Sequence, residues 1–121
     1  MFIEKTHQYI KRSWKRAAVE PEDMQENFQL PYPCVPPCVT GMFRCLFYWD
    51  TFYTNLGLIA DGELELAKNN VANLIYLLKK YGFVPNANSE SGTKWCSQPP
   101  YLHWMVQTLE EYLQDEQWLK D

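Results

Sequence analysis

Apolar side chains recur at helical spacing along most of the chain, and they do not alternate with polar ones at the period of two that a half-buried strand requires. Phe2, Ile3, Ile10, Trp14 and Ala17 fall close to one helical face, with Lys5, Lys11, Arg12 and Lys15 between them. The first predicted element is therefore a helix over residues 1–18, stopped by Pro21. Residues 43–60 are apolar on nearly every side (Phe47, Tyr48, Trp49, Phe52, Tyr53, Leu56, Leu58, Ile59), which is the pattern of an interior helix and makes Asp50 and Asn55 its exceptions. After an Asp61-Gly62 turn, Leu64, Ala67, Val71, Leu74, Leu78 and Tyr81 recur at steps of three and four, up to a glycine, Gly82, suited to a left-handed cap. A last full helix is predicted to open at Pro99-Pro100 and to turn Leu102, Met105, Val106, Leu109, Tyr112 and Leu113 inward, and residues 115–119 begin another.

Two segments break this pattern. Residues 28–42 hold Pro31, Pro33, Pro36 and Pro37, which remove backbone donors and keep the chain extended, while Tyr32, Val35 and Val39 give that loop apolar groups to dock. Residues 83–100 are rich in Pro, Asn, Ser and Gly and read as a second loop. The expected architecture is all-α, with stacked helical hairpins over residues 43–121, in a single partial domain of residues 1–121. About four and a half helices can hardly cover an all-round apolar helix on every side.

Composition narrows the chemistry. The 121 residues carry 11 Lys+Arg and 15 Asp+Glu, a net charge of −4, so the chain has no long-range attraction for phosphate backbones and no nucleic-acid partner is expected. No apolar run approaches the roughly 20 residues of a membrane span, and residues 1–8 lack the apolar core of a signal peptide, so a cytoplasmic chain with no membrane contact is expected. Cys34, Cys38, Cys45 and Cys96 are read as thiols; only Cys34 and Cys38 have zinc-like spacing, and neither a metal nor a cofactor is expected. Glycine-rich phosphate loops, a Gly-x-Ser-x-Gly elbow and a His-Glu-x-x-His pair are absent.

Polar groups stand instead where helices meet loops: Trp49-Asp50 at the start of the apolar helix, Asn86 and Asn88 after Pro85, and Ser97-Gln98 before Pro99. Each alone is an ordinary cap, turn former or core aromatic. If hairpin stacking gathers them, carboxylate and amide oxygens accept from hydroxyls, amide nitrogens donate, and an indole covers an apolar C–H face, which together suit a sugar. Helix lengths favour the gathering. A helix of some 18 residues spans roughly 27 Å, so an inner helix and a returning outer one bring Asn86 back to the side where Trp49 starts.

At these residues the sequence resembles the trehalase family of glycoside hydrolases. Leu30-Pro31-Tyr32-Pro33 and Gly41-x-Phe43-x-x-x-Phe47-Tyr48-Trp49-Asp50-Thr51-Phe52 look like its first signature. Asn55-Leu56-Gly57-Leu58, Asp61-Gly62, Tyr81-Gly82-Phe83-Val84-Pro85-Asn86-x-Asn88, Ser97-Gln98-Pro99-Pro100 and Met105-Val106 continue the match in order, and Ile10-x-x-x-Trp14 with Arg16 is similar to the preceding helix.

The resemblance implies the N-terminal portion of an (α/α)6 toroid and of an inverting glycosidase acting on an α-glucoside such as trehalose. It also implies a sugar-binding role for Trp49, Asp50, Asn86, Ser97 and Gln98. Met42, Cys45 and Cys96 stand where the family carries arginine, glutamate and arginine, which removes planar charged donors that methionine and cysteine cannot replace. Inversion needs two carboxyl groups about 6.5 to 9.5 Å apart, and the family's acid and base lie downstream of these motifs, so no catalytic residue is assigned here and the chain alone is expected to be inactive. The expected partners are a sugar and the C-terminal remainder of the same toroid. The competing reading is a small non-catalytic helical module that binds carbohydrate or protein.

Overall fold

A computed structural model describes residues 1–94, 96–115, 117–118 and 120. Its order is α1 (Phe2–Ala17), two 3-10 turns (Pro21–Asp23 and Glu26–Phe28), α2 (Tyr48–Ala60), α3 (Leu64–Tyr81) and α4 (Leu102–Leu113). Two isolated bridges, Val19 with Cys34 and Phe47 with Ala87, are the extended pairings among the described residues. The fold is all-α and built of helical hairpins, as in a fragment of an α/α toroid.

The hairpin of α2 and α3 turns at Asp61-Gly62. Gly62 adopts φ 82°, which a side chain would resist, while its N–H donates to the Ile59 carbonyl at 3.1 Å and the Glu63 N–H to Leu58 at 2.8 Å. Gly82 ends α3 in the left-handed region (φ 78°), its N–H reaching Leu78 at 2.9 Å. Helices α2, α3 and α4 pack against one another around Leu58, Val71, Leu74, Met105 and Leu109, and the core is completed by Leu30, Val35 and Leu46 from the loops.

Four buried asparagines hold the loops to this core. Asn70 accepts from the Val35 N–H (3.0 Å) and donates to Asn55 Oδ1 (2.9 Å), and Asn55 donates to the Ala67 carbonyl (3.1 Å). Asn73 accepts from the Tyr32 N–H and donates to the Tyr32 carbonyl at 3.1 and 2.9 Å. Asn88 accepts from the Leu46 N–H at 2.6 Å and donates to the Phe28 carbonyl at 3.0 Å. Prolines strip the loop of its own ladder, so side chains of α3 meet the Tyr32 and Val35 N–H groups while the Val19 carbonyl meets that of Cys34, which is why a segment without secondary structure can be buried.

Helix α2 begins at Tyr48, although apolar patterning extends back to residue 43. Phe47 is extended (φ −96°, ψ 140°) and bridges Ala87, and the Leu46 N–H is taken by Asn88, so the preceding residues are committed to the loop. Likewise α4 starts at Leu102 rather than at the prolines, because a residue that precedes proline, as Pro99 does, is pushed out of the helical region. The expected helix over residues 115–119 falls partly on residues 116 and 119, outside the described residues. Asp115 Oδ1 accepts from the Gln117 and Trp118 N–H groups at 3.1 and 3.3 Å, a local turn.

Candidate functional site

The first turn of α2 has N–H groups with no partner inside the helix, and the loop of residues 83–100 supplies them. The Tyr48 N–H donates to the Asn86 carbonyl at 3.0 Å, and the Trp49 N–H to Gln98 Oε1 at 2.8 Å. The Asn86 N–H in turn donates to the Cys96 carbonyl at 3.0 Å, so both arms of the loop are tied together beneath that helix end. Asn86 and Gln98 are therefore held at the start of α2, where Asp50 follows Trp49 in the first turn, although 49 residues separate Trp49 from Gln98 (98 − 49).

Their free groups differ. Trp49 is 40% exposed. Among the described residues the Asp50 carboxylate, the Asn86 carboxamide and the Gln98 amide nitrogen have no hydrogen-bond partner. The arrangement thus offers carboxylate and amide acceptors, amide donors and an indole at the positive end of a helix. Ser97 is spent otherwise, since its hydroxyl donates to the Val84 carbonyl at 2.6 Å and braces the loop. Asn88 lies beside the others in sequence but is buried as a tie between Leu46 and Phe28.

Aromatic rings continue this face along α2. Trp49 and Tyr53 are one turn apart with centroids at 6.3 Å and planes at 80°, and Tyr101 stacks on Phe52 at 4.8 Å and 9°. Hydrogen bonding with Tyr101 raises the Tyr53 phenol above its usual pKa. Sequence reasoning gave Tyr53 and Tyr101 no role, although the i, i+4 step from Trp49 to Tyr53 is itself a visible signal.

The three departures from the family pattern add no charge here: Met42 is 84% exposed, Cys45 is half-buried and Cys96 is exposed. Burial raises the Cys45 thiol, against a lowering hydrogen bond from Ser89. Burial, with Cys45 nearby, pushes Cys34 up to about 12. Among the described residues no three of His, Cys, Asp and Glu are grouped to hold a metal ion. A cavity of about 640 Å³ lies away from this helix end, between the Pro-rich loop, α3 and α4, where Tyr32, Lys68, Tyr76 and Val106 line it.

The family model described as Trehalase matches residues 2–121. The chain belongs to the trehalase family. It is 41% identical over 78 residues to a periplasmic trehalase of Xanthomonas campestris pv. campestris (strain B100), covering 64% of this chain and 13% of that protein. It is 36% identical over 97 residues to a periplasmic trehalase of Escherichia coli (strain SMS-3-5 / SECEC), with 80% and 17% covered. With a periplasmic trehalase of Pseudomonas aeruginosa PAO1 it shares 40% over 77 residues, with 64% and 14% covered. This trehalase-family chain thus spans less than a fifth of the curated relatives it matches. The cytoplasmic expectation is corrected by the same finding, because these relatives are periplasmic proteins. It rested on an N-terminal segment without an apolar core, and in a chain spanning so small a part of its relatives that segment carries no information about export.

Proposed function

We propose that this trehalase-family chain contributes part of the sugar-binding subsite of a periplasmic, inverting glycoside hydrolase that acts on an α-glucoside such as trehalose. Trp49 covers the apolar side of a glucosyl ring, and Asp50, Asn86 and Gln98 hydrogen-bond its hydroxyls. Ser97 acts beside them by bracing their loop. The observation that carries this reading is the pairing of Tyr48 with the Asn86 carbonyl and of Trp49 with Gln98, which gathers three unpartnered polar groups and an exposed indole at one helix end.

The residues that meet there hold one carboxylate, Asp50, whereas inversion uses an acid to protonate the leaving oxygen and a base to activate water. Each such group contributes typically about 10² to 10⁴-fold, so both come from the remainder of a trehalase, the partner this reading requires. The test mixes the chain with a trehalase from which the matching segment has been removed. Trehalose hydrolysis is expected from the mixture, none above background from the chain alone, and none from a mixture carrying Asp50→Ala. Turnover by the chain alone, or a mixture indifferent to Asp50→Ala, overturns the reading.

A further inference from the structure

The net charge of −4 averages two unlike parts of the chain. Residues 1–18 carry Lys5, Lys11, Arg12, Lys15 and Arg16 against Glu4, which is +4 (5 − 1), so the remainder carries −8 (−4 − 4). All five cations lie in α1. Charges in water are screened beyond about 10 Å, and a helix of this length spans roughly 24 Å, so α1 presents a positive field of its own.

The same helix is apolar where it is open. It is seated through Trp14, Ala17 and the His7 contact with Asp61, yet residues 1–12 are all exposed, Phe2 at 84%, Ile3 at 82% and Tyr9 at 65%. Phe2 with Tyr9, and Ile3 with Ile10, make two rows at a seven-residue step. Thr6 and Ser13 stand between the rows, and neither hydroxyl needs water: Thr6 Oγ1 donates to the Phe2 carbonyl at 3.0 Å and Ser13 Oγ to the Tyr9 carbonyl at 2.7 Å. This sector can leave water with no donor unmet inside it, the Tyr9 hydroxyl being at the tip of its ring. Lys5, Arg12 and Arg16, at steps of seven and four, flank Phe2 and Tyr9 on the side away from Ile3. Side chains of this kind lay their stems on apolar surface and keep their charges at a polar boundary.

An apolar helix of a partner would fill the sector but would press on three flanking cations with nothing to pair them. An anionic lipid surface meets both features, because its phosphates face the cations and its acyl boundary takes the rings. We propose that α1 binds an anionic phospholipid surface and lies in its plane, with Phe2, Ile3 and Tyr9 at the acyl boundary and Lys5, Arg12 and Arg16 on lipid phosphates. No described helix is long and apolar enough to cross a membrane. The expectation of no membrane contact rested on the want of a spanning run, which a helix lying on the surface does not use. The proposal is independent of the sugar-subsite reading.

The test sediments the full chain with vesicles of phosphatidylcholine alone and with vesicles of phosphatidylcholine and phosphatidylglycerol in equal parts. Binding is expected to the mixed vesicles only, and it should weaken as salt is raised. Lys5→Gln/Arg12→Gln/Arg16→Gln should weaken it roughly a hundredfold and Phe2→Ser/Tyr9→Ser about tenfold or more, while the Trp14 indole shift reports whether α1 stays seated. The lipid and salt dependence of the unaltered chain decides the matter even where a variant unseats α1. A chain that ignores both kinds of vesicle, or binds both equally, overturns the proposal. Binding undiminished by Phe2→Ser/Tyr9→Ser overturns it too, since no ring is then inserted. A dimer that the three-cation variant dissolves, without vesicle binding, overturns it in favour of the acidic surface of another copy.

Discussion

The Trp14 indole N–H donates to Asp61 Oδ2 at 2.6 Å, joining the far end of α1 to the turn between α2 and α3 across 47 residues. His7 Nε2 meets the other carboxylate oxygen at 2.6 Å, and the Asp61 side chain is only 3% exposed. The Trp14 ring also lies where a Cβ on Gly57 would meet it at 3.1 Å, so α1 rests directly on the backbone of α2. Most of α1 is otherwise exposed, Phe2, Ile3 and Tyr9 included.

This clip makes the docking of α1 depend on pH. The hydrogen bond from Trp14, followed by that from His7, lowers the Asp61 pKa from its usual 3.8. A carboxylate depressed on folding contributes stability that is present above the unfolded pKa and lost as pH falls through the folded one. The Trp14 indole proton is therefore expected to keep its bonded NMR shift at pH 4 and to lose it only below 3.8. Asp61→Ala should give the released shift at neutral pH. A transition near pH 6 in the unaltered chain would show that some other group controls the clip.

Asn70→Ala removes a side chain that serves Val35 and Asn55 at once. Each buried polar group left unpaired costs about 1 to 3 kcal/mol, so a loss of about 2 to 5 kcal/mol is expected by urea unfolding. Asn69→Ala, on the half-buried side of the same helix, should change stability far less. Comparable losses from the two would mean that the amide chain contributes little.

Gly92 has no room for a side chain, since a Cβ would lie 2.6 Å from the Ala87 carbonyl oxygen and 2.8 Å from its nitrogen. Backbone atoms cannot swing aside, so Gly92→Ala must shift the strip that bridges Phe47. A loss of about 1 to 3 kcal/mol is expected, together with faster amide exchange at Tyr48, whose partner is Asn86.

The thiols should separate by reactivity. With a pKa of about 12, Cys34 holds roughly one thiolate in 10⁴ at pH 8. Cys38 and Cys96 are exposed. Mass spectrometry of the folded chain after brief exposure to a maleimide should find Cys38 and Cys96 labelled and Cys34 untouched until denaturant is added.

Local patterning carried much of this fold into view. The three- and four-residue steps from Leu64 to Tyr81 and the glycine after them match α3 and its left-handed cap, because both are decided within a few residues. The start of α2 was less legible, since it depends on Asn88, 42 residues from the Leu46 N–H it holds. Asp61 reads as an ordinary turn residue, and nothing near it in sequence announces Trp14 or His7. Asn55 stood out as polar within an apolar helix, but only the placement of Asn70 explains it. At the candidate site, motif order pointed to Trp49, Asp50, Asn86 and Gln98, while the inward turn of the Ser97 hydroxyl depends on Val84, 13 residues away.

The asparagine ties also set an order of events during synthesis. The Pro-rich loop bonds forward to Asn70 and Asn73, α1 bonds forward to Asp61, and Phe28 and Leu46 wait for Asn88. As the chain emerges, the Tyr32 and Val35 N–H groups therefore have no side-chain acceptor until Asn70 and Asn73 of α3 have followed. During that interval Leu30 and Val35, buried in the finished fold, remain open to chaperones, to proteases and to other copies of the chain.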